Sequence, residues 1–512
     1  MLIDGGRVMR RSLSALVVAG AVVACSGGGA IPLAPLPACH QGATCIDPFP
    51  QGGSVDKVDL LLVIDNGSSM GEEQLSVVTG LPRMIQHLTT GDRDGDGTID
   101  FMPARSIHVG IVDTDMGLGD VTGIASCDPG FGDDGLMQIR ARRPATGCMA
   151  DYSRAYPGNV FAFDVAGAHT PAQFEADLAC VAALGTDGCG FPFVLDAPLK
   201  AISLTPTGSG DSPVSWTRRG YLPPVFYAGT FGHGDDPATN GAFLRPDSAL
   251  AIVTVNDHDD CSTSNPNIFS IDDPAFNGVD LALRCHAFDA ELYPIERYAD
   301  GFTGLRANPA LLVFAAITGV PPALSGRDPA TILADPAMVS QIDPTHAGQL
   351  EPVCIEPSGR GIALPAIRVT RLAQQLRSAG AKVTLESICN ADFTSAFDHI
   401  LTLIVDTLGP SVPCIRPLMP SADGTVDCQL YASGTHCTDF TPAVAVTEST
   451  DQYGYQVCRL PQITRDRAGI DPGWIYDDGT LGAFSMLPHG CTQRIAFSAL
   501  TAHPAPFTLV CP

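Results

Sequence analysis

The stretch Val58-Asp59-Leu60-Leu61-Leu62-Val63-Ile64-Asp65-Asn66-Gly67-Ser68-Ser69-Met70 decides the fold. It is a nearly unbroken apolar run that stops at the acid Asp65 and continues into small hydroxyl residues. Such a run predicts a strand that is buried on both faces, as in a parallel sheet covered by helices. In open α/β sheets, ligands bind just beyond the carboxyl ends of the strands. We therefore expect Asp65 and the serines at that edge, where their oxygens suit a small hard cation.

This stretch resembles the first metal-binding motif of von Willebrand factor A (vWA) domains, Asp-x-Ser-x-Ser, which is known as the metal-ion-dependent adhesion site. Asp65 and Ser69 match that motif, whereas Gly67 stands at the position of its first serine. The resemblance implies a doubly wound α/β domain. It also implies a bound Mg²⁺ or Mn²⁺ that completes its coordination with an acidic group from a partner protein.

Two later segments match the remaining parts of the vWA motif. Thr186 lies in a Gly-rich turn before a predicted helix, and Asp257 ends a second apolar run that begins at Ala249. By the resemblance, the metal ligands would be Asp65, Ser69, Thr186 and Asp257. The alternatives are that Thr186 only serves the turn and that Asp257 only caps the segment after it.

Predicted strands and helices alternate over about 350 residues, which is typical of a doubly wound, mostly parallel sheet of the vWA or Rossmann type. Loop insertions explain the length, because a single domain usually stays below about 250 residues. Six of the 17 cysteines follow Pro413, among short apolar runs. We therefore assign residues 56–409 to a vWA-like domain and residues 410–512 to a small β-rich lobe that disulfides cross-link.

The N-terminus has the pattern of an export signal. Three arginines in the first 11 residues precede a short apolar run, which ends in Val22-Val23-Ala24-Cys25-Ser26-Gly27. That ending resembles a bacterial lipobox, with cleavage before Cys25 and lipid on its thiol; the alternative is ordinary cleavage near Ala24. We predict a lipoprotein signal peptide over 1–25 and a Gly/Pro-rich tether over 26–55. The lipoprotein resemblance implies a cell-envelope protein, anchored by lipid in the outer membrane.

The cysteine count agrees with export, because oxidising compartments favour disulfides. Lipidation of Cys25 would leave 16 of the 17 cysteines, an even number. Connectivity cannot be deduced from sequence alone. From proximity along the chain we expect the pairs Cys39–Cys45, Cys127–Cys148, Cys180–Cys189, Cys261–Cys285, Cys354–Cys389 and Cys491–Cys511.

A separate Asp-rich segment has the pattern Asp-x-Asp-x-Asp-Gly-x-x-Asp, which forms the front of a calcium loop. The expected Ca²⁺ ligands are Asp92, Asp94, Asp96, the backbone carbonyl of Thr98, and Asp100. Pro103 stands where an EF-hand has its bidentate Glu. The segment therefore resembles the partial calcium loops of secreted bacterial proteins. The alternative is a solvated acidic turn.

Charge and motifs restrict the function. The formal net charge of −26 disfavours nucleic acid and anionic membrane surfaces as partners, so we expect membrane contact only through the lipid. No His-Glu-x-x-His motif and no phosphate-cradling loop occurs, and we predict a protein that is not an enzyme. Our leading hypothesis is metal-assisted binding of a protein partner in adhesion or assembly. The alternatives are an envelope scaffold with a degenerate metal site, stabilised by calcium and disulfides, and, with less support, a secreted hydrolase. The arrangement resembles vWA lipoproteins of myxobacteria-like bacteria.

Overall fold

The computed structural model describes residues 44–45, 55–408 and 418–511, except for gaps at 94, 97–99, 102, 126, 143–145, 207–216, 219–220, 246–247, 307, 360, 435–436, 438–443, 451–455, 468–469, 479–493 and 499–506. The predicted signal peptide, the lipidation site Cys25 and Cys39 of the predicted pair Cys39–Cys45 lie outside the described residues.

Strands and helices alternate through most of the described chain. The strands are β1 Thr44–Cys45, β2 Lys57–Ile64, β3 Ser106–Asp113, β4 Phe161–Asp164, β5 Ala249–Val255, β6 Leu312–Thr318, β7 Cys354–Ile355, β8 Ile362–Ala363, β9 Lys382–Ser387, β10 Gln429–Gly434, β11 Val444–Thr450, β12 Gln456–Leu460, β13 Gly473–Asp477, β14 Arg494–Ser498 and β15 Phe507–Cys511. The helices are α1 Gly71–Thr90, α2 Pro171–Ala182, α3 Asp196–Ile202, α4 Arg284–Ala287, α5 Ile295–Gly304, α6 Pro329–Leu333, α7 Ile367–Ser378 and α8 Thr394–Val405.

A six-stranded sheet with the order β4-β3-β2-β5-β6-β9 forms the centre of the fold. Strands β3, β2, β5, β6 and β9 are parallel, and β4 is antiparallel to β3 at one edge. The register places Ile64 of β2 beside Asp113 of β3 and Val255 of β5. The residues that follow these three strands therefore meet at one edge of the sheet. The predicted α/β class with a mostly parallel sheet is confirmed.

Helices cover both faces of this sheet. Successive side chains of a strand point to opposite faces, and β2 is apolar on both. Leu60 and Leu62 pack in a core with residues of α1, α2 and α8, whereas Leu61 and Val63 pack in a second core with residues of α3, α5 and α7. The unbroken apolar run that begins at Val58 is thus explained by burial on both faces.

A buried ion pair fixes the amino end of β2. Asp59 is fully buried. Its Oδ1 accepts a hydrogen bond from Arg245 Nε at 2.7 Å, and Arg306 Nη2 lies 3.3 Å from its Oδ2. Arg245 precedes β5 and Arg306 precedes β6. The Asp59 carboxylate therefore holds the loops that enter these two strands at the amino edge of the sheet, opposite Asp65.

Among the described residues beyond 418, regular structure is mostly strand and includes the short 3-10 turn Arg465–Arg467. Five strands form a sheet with the order β1-β15-β10-β12-β11, and β13 pairs with β14. Strand β1 comes from the region predicted to be a tether, and it pairs antiparallel with β15. Two disulfides, Cys428–Cys511 and Cys437–Cys458, lie in this part of the chain.

Six disulfides join described residues, and they correct part of the predicted pairing. The predicted pairs Cys261–Cys285 and Cys354–Cys389 are confirmed. The predictions Cys127–Cys148 and Cys180–Cys189 were wrong, because the bonds formed are Cys127–Cys189 and Cys148–Cys180. The prediction Cys491–Cys511 was also wrong, because Cys511 pairs with Cys428. Pairing by nearness along the chain was wrong for Cys189 because its turn lies against the carboxyl edge of the sheet. Gly188 N donates to Asn66 O at 3.0 Å, which places Cys189 at that edge.

Candidate functional site

The candidate site lies where β2 and β5 end side by side. The backbone N–H of Asp65 donates to the carbonyl of Val255 at 2.9 Å. From β2 the chain proceeds to β3 on one side, and it later returns to β5 on the other side. Such a change of direction opens a crevice at the carboxyl ends of the strands, where α/β proteins bind ligands.

Asp65 is held rigidly at this edge. Its side chain is buried, and Oδ1 accepts hydrogen bonds from the backbone N–H of Gly67 at 2.8 Å and from Thr114 Oγ1 at 3.2 Å. Thr114 directly follows β3. Sequence reasoning missed this hydroxyl, although its position between two acids, after a buried strand, was an available signal.

Asp257 receives two polar neighbours. The Nδ1 atom of His258 lies 2.6 Å from Asp257 Oδ1, and the hydroxyl of Ser69 donates a hydrogen bond to the same carboxylate. Burial raises the pKa of Asp257, but the charged imidazole of His258 and the Ser69 hydroxyl outweigh burial and hold that pKa below its ordinary value. In turn, although burial alone would lower the pKa of His258, Asp257 raises it to about 9. The fold therefore brings Ser69 and Asp257 into contact.

The carboxylates of Asp65 and Asp257 also repel one another electrostatically. Burial, followed by the nearby charge of Asp257, raises the pKa of Asp65 to about 7. Burial likewise raises the pKa of Glu73, in the first turn of α1, to about 7, and Asp257 contributes to that increase. Glu73 Oε2 is buried with no hydrogen-bond partner among the described residues. Buried carboxylates in mutual repulsion favour a cation, and this donor set of oxygens fits a hard divalent ion.

The turn that carries Thr186 is fastened to the backbone of the site. Gln74 Nε2 donates to the carbonyls of both Asp65 and Gly185, at 2.9 and 2.8 Å. Gly185 N donates back to Gln74 Oε1 at 3.0 Å, and the disulfide of Cys189 lies at the end of the turn. Thr186 itself is half-buried. Gln74 thus holds the turn of Thr186 beside the backbone of Asp65.

The backbone of Gly67 lies close against the Asp65 carboxylate. A Cβ atom added to Gly67 would lie 3.1 Å from Asp65 Oδ1 and 3.9 Å from the carbonyl oxygen of Cys189. A serine there would therefore face the same carboxylate that Thr114 contacts. In this chain Thr114 supplies a hydroxyl oxygen on the side where Gly67 has none.

Residues 67–71 have the spacing Gly-x-Ser-x-Gly between a strand and a helix, as in the nucleophile turn of α/β hydrolases; sequence reasoning overlooked it. In a hydrolase the serine bonds to a histidine base, but the hydroxyl of Ser69 bonds to a carboxylate. The strained backbone is also missing: in the described part of the chain the non-glycine residues with positive φ are Asp134, Asn159 and Ala228. The geometry of this turn gives no support to the hydrolase alternative.

The acids that follow β3 have partners within the protein. Arg142 Nη2 lies 3.2 Å from Asp113 Oδ2 and also pairs with Asp133. Asp115 accepts hydrogen bonds from the backbone of Gly117 and Cys189, at 2.9 and 3.2 Å. An arginine thus compensates the charge at the end of β3.

The Asp-rich segment after α1 forms a closed loop. Gly91 ends the helix with φ of 74°, and its carbonyl accepts a hydrogen bond from Asp100 N at 2.8 Å. The carboxylates of Asp92 and Asp100 accept backbone hydrogen bonds from Gly95 and Arg93, at 2.7 and 2.8 Å. The loop therefore brings the first and ninth calcium-loop positions together. Asp96 is exposed, and the predicted ligands Asp94 and Thr98 lie outside the described residues.

Comparisons with known proteins identify no relative that would assign this site a function. A scan against models of protein families finds no match, and a search of curated proteins finds none either. Within the described residues no group of three or more His, Cys, Asp or Glu side chains is arranged to hold a metal ion. The candidate site combines two carboxylates with hydroxyl groups.

No helix among the described residues has the length and hydropathy needed to span a bilayer.

Proposed function

We propose that this chain is an exported, lipid-anchored protein whose vWA-like domain binds a protein partner through a divalent cation. The observation that carries the proposal is the meeting of Asp65 and Asp257 at the carboxyl edge of the sheet. They follow different strands and both are buried, and burial, together with the nearby charge of Asp257, raises the pKa of Asp65 to about 7.

Two features support the finer assignment to a doubly wound, vWA-like fold. Helices pack on both faces of the sheet, and the strand order changes direction between β2 and β5. The resemblance of Asp65 and Ser69 to the vWA motif falls at that point in the sheet. The C-terminal disulfide-linked strands form the accompanying lobe.

Asp65, Asp257 and the hydroxyl of Ser69 would hold Mg²⁺ or Mn²⁺, directly or through water. Thr114 and the turn of Thr186 complete the surroundings. The bound cation would offset the buried negative charge and offer an open coordination position to an acidic group of the partner. The loop insertions around this edge would set the choice of partner.

The anchoring and calcium proposals rest on the sequence patterns already described. Lipid on Cys25 would hold the protein at the cell envelope, in the outer membrane, and Ca²⁺ would stabilise the loop between Asp92 and Asp100. The acidic charge of −26 suits a protein partner better than nucleic acid.

Isothermal titration of the mature protein with Mg²⁺ tests the proposal. We expect binding that is lost in the Asp65→Ala/Asp257→Ala variant. A matched control, Asp272→Ala/Asp289→Ala, removes two exposed carboxylates distant in sequence and should bind as the wild type does. Equal heats for the wild type and the Asp65/Asp257 variant would end the adhesion proposal.

One observation favours the scaffold alternative. The charged imidazole of His258 already contacts Asp257, so the protein partly compensates this carboxylate without a metal, and Gly67 lacks a hydroxyl ligand. In that case capture of a partner would not respond to removal of Mg²⁺, while the melting temperature would still respond to chelation of calcium.

A further inference from the structure

A buried lysine meets a carboxylate outside the candidate metal site. Lys200 lies on α3, and 1% of its side chain is exposed. Its Nζ lies 2.5 Å from Asp134 Oδ1 and 2.8 Å from Thr230 Oγ1. The rings of Phe131 and Phe226 have their centroids 5.5 Å from Nζ. The amine is therefore held against one carboxyl group, is shielded from bulk water, and has two aromatic rings nearby.

The backbone around Asp134 is pressed against α3. Asp134 has a left-handed φ of 56°. A Cβ atom on Gly135, which has φ of 71°, would come within 2.8 Å of the Ala197 carbonyl oxygen, so only glycine allows this approach. The buried amide of Asn240 donates to the carbonyls of Gly135 and Ala201, at 2.9 and 3.0 Å. These contacts fix the distance between the carboxyl group and the lysine on the helix.

Two further polar groups face this pair. His233 Nε2 lies 3.1 Å from both the carbonyl oxygen and Oδ2 of Asp134. Since both oxygens only accept, Nε2 carries the proton, and its hydrogen bond polarises the carboxyl group. Asp196 lies one helical turn before Lys200, on the same face of α3. Burial raises the pKa of Asp196 to about 6.

Asp134, Asp196 and Lys200 line one small cavity, together with Phe131 and Phe226. Its volume is about 20 Å³, which is room for about one water molecule. The site thus holds a nucleophile, an electrophile, a carboxylate that can move a proton, and space for a small leaving group.

We infer that Lys200 and Asp134 form an intramolecular amide bond. A proton first moves within the ion pair, from the ammonium group to the carboxylate. The neutral amine Nζ then attacks Cγ of the neutral acid, so that an Nζ–Cγ bond forms and a Cγ–O bond breaks. Asp196 accepts the proton that Nζ loses and delivers it to the departing hydroxyl, which leaves as water. No oxidant, metal or second substrate is required.

The bond would close a loop between residues 66 positions apart. It would lock the insertion after β3 onto α3 independently of any metal at the carboxyl edge. The inference therefore does not depend on the proposed function.

Peptide mass spectrometry tests the bond. The mature protein is denatured, reduced, alkylated and digested with trypsin, so that disulfides no longer join peptides. Asp134 lies in the peptide 106–140, and cleavage after Lys200 would separate 155–200 from 201–218. We expect no cleavage after Lys200, and a joined species of 106–140 and 155–218 whose mass is lower by one water. Recovery of the separate linear peptides at their full masses would overturn the inference.

Conservative variants distinguish the bond from an ion pair. Lys200→Arg keeps the charge but cannot form this amide, so the joined species should be lost completely. Asp134→Asn tolerates the left-handed backbone and should still join, with loss of ammonia in place of water. Asp196→Asn should leave the protein folded, as circular dichroism can verify, and slow the joining at least tenfold. Lys382→Ala, at another partly buried lysine, should join as the wild type does. Joining at the wild-type rate in Asp196→Asn would remove the role of Asp196.

Discussion

The substitution Asp65→Asn should stabilise the metal-free protein at alkaline pH. The amide oxygen can still accept the hydrogen bonds that Gly67 N and Thr114 Oγ1 donate to Asp65 Oδ1. What the substitution removes is a negative charge that is buried beside Asp257. The free energy of unfolding should therefore rise where Asp65 is ionised, even though a residue of the proposed site has been lost.

The pKa of Asp65 sets the size and the pH range of this effect. Its value in the folded chain is about 7, against 3.8 for an ordinary carboxyl. Below pH 3.8 the carboxyl is protonated in both states, and stability is unaffected. As the pH rises towards 7 the unfolded chain ionises first, so the contribution of the protonated carboxyl is progressively lost. At about 1.4 kcal/mol per pKa unit, the loss reaches about 4 kcal/mol at pH 8.

Urea unfolding with a metal chelator measures this difference. Asp65→Asn should match the wild type near pH 4 and exceed it by up to about 4 kcal/mol at pH 8. Mg²⁺ at a hundredfold excess over its Kd should stabilise the wild type by about 2.7 kcal/mol and leave the variant unchanged. The reasoning is refuted if the variant is no more stable than the wild type at pH 8, or if the difference does not vary with pH.

Asp59→Asn is the matched control, because Asp59 is also buried and lies on β2, the strand that Asp65 follows. Its neighbours are Arg245 and Arg306, so removal of its charge leaves two cations uncompensated. Asp59→Asn should lower the free energy of unfolding by about 3–5 kcal/mol. The opposite signs of the two substitutions would show that the surroundings, and not burial alone, decide the effect.

Three further predictions concern the candidate sites. Gly67→Ser places a hydroxyl beside Asp65 and should tighten Mg²⁺ binding about tenfold in calorimetry, a gain of about 1.4 kcal/mol. The control is Gly71→Ser, where an added Cβ meets nothing within 4 Å, and it should leave the Mg²⁺ affinity unchanged. Equal affinities for the two variants would contradict this role of position 67. Cys127→Ser/Cys189→Ser should lower stability by about 2–4 kcal/mol in urea and weaken Mg²⁺ binding, because it loosens the turn of Thr186. Cys261→Ser/Cys285→Ser should lower stability alone, and a similar loss of Mg²⁺ affinity there would contradict the argument. Calcium should raise the melting temperature at fixed Mg²⁺, and Asp92→Asn/Asp100→Asn should remove that increase; an unchanged increase would exclude the Asp-rich loop as its source.

Much of the central sheet could be predicted from the sequence, because hydrophobic periodicity reports burial directly. The apolar runs at Val58 and Ala249 became neighbouring parallel strands. The antiparallel direction of β4 could not be predicted, since a short run of alternating residues is the same in either direction. Strand order likewise depends on contacts between distant segments.

The candidate site was only partly predictable, for a related reason. Asp65 and Asp257 follow buried strands, and strand ends carry positional information even without coordinates. His258 gave no such signal, because its role depends on which neighbouring group the fold presents, and Thr114 gave only its position between two acids after a strand. Disulfide pairing failed for Cys127 and Cys180 because proximity along the chain is not proximity in space.

A crystal structure of the mature protein grown with Mn²⁺ would test the central claim most directly. Manganese scatters anomalously, so its position can be located without assuming the ligands. The account predicts an anomalous peak within coordination distance of the carboxylates of both Asp65 and Asp257. A map without a peak at this edge, from crystals that contain Mn²⁺ elsewhere on the protein, would contradict it.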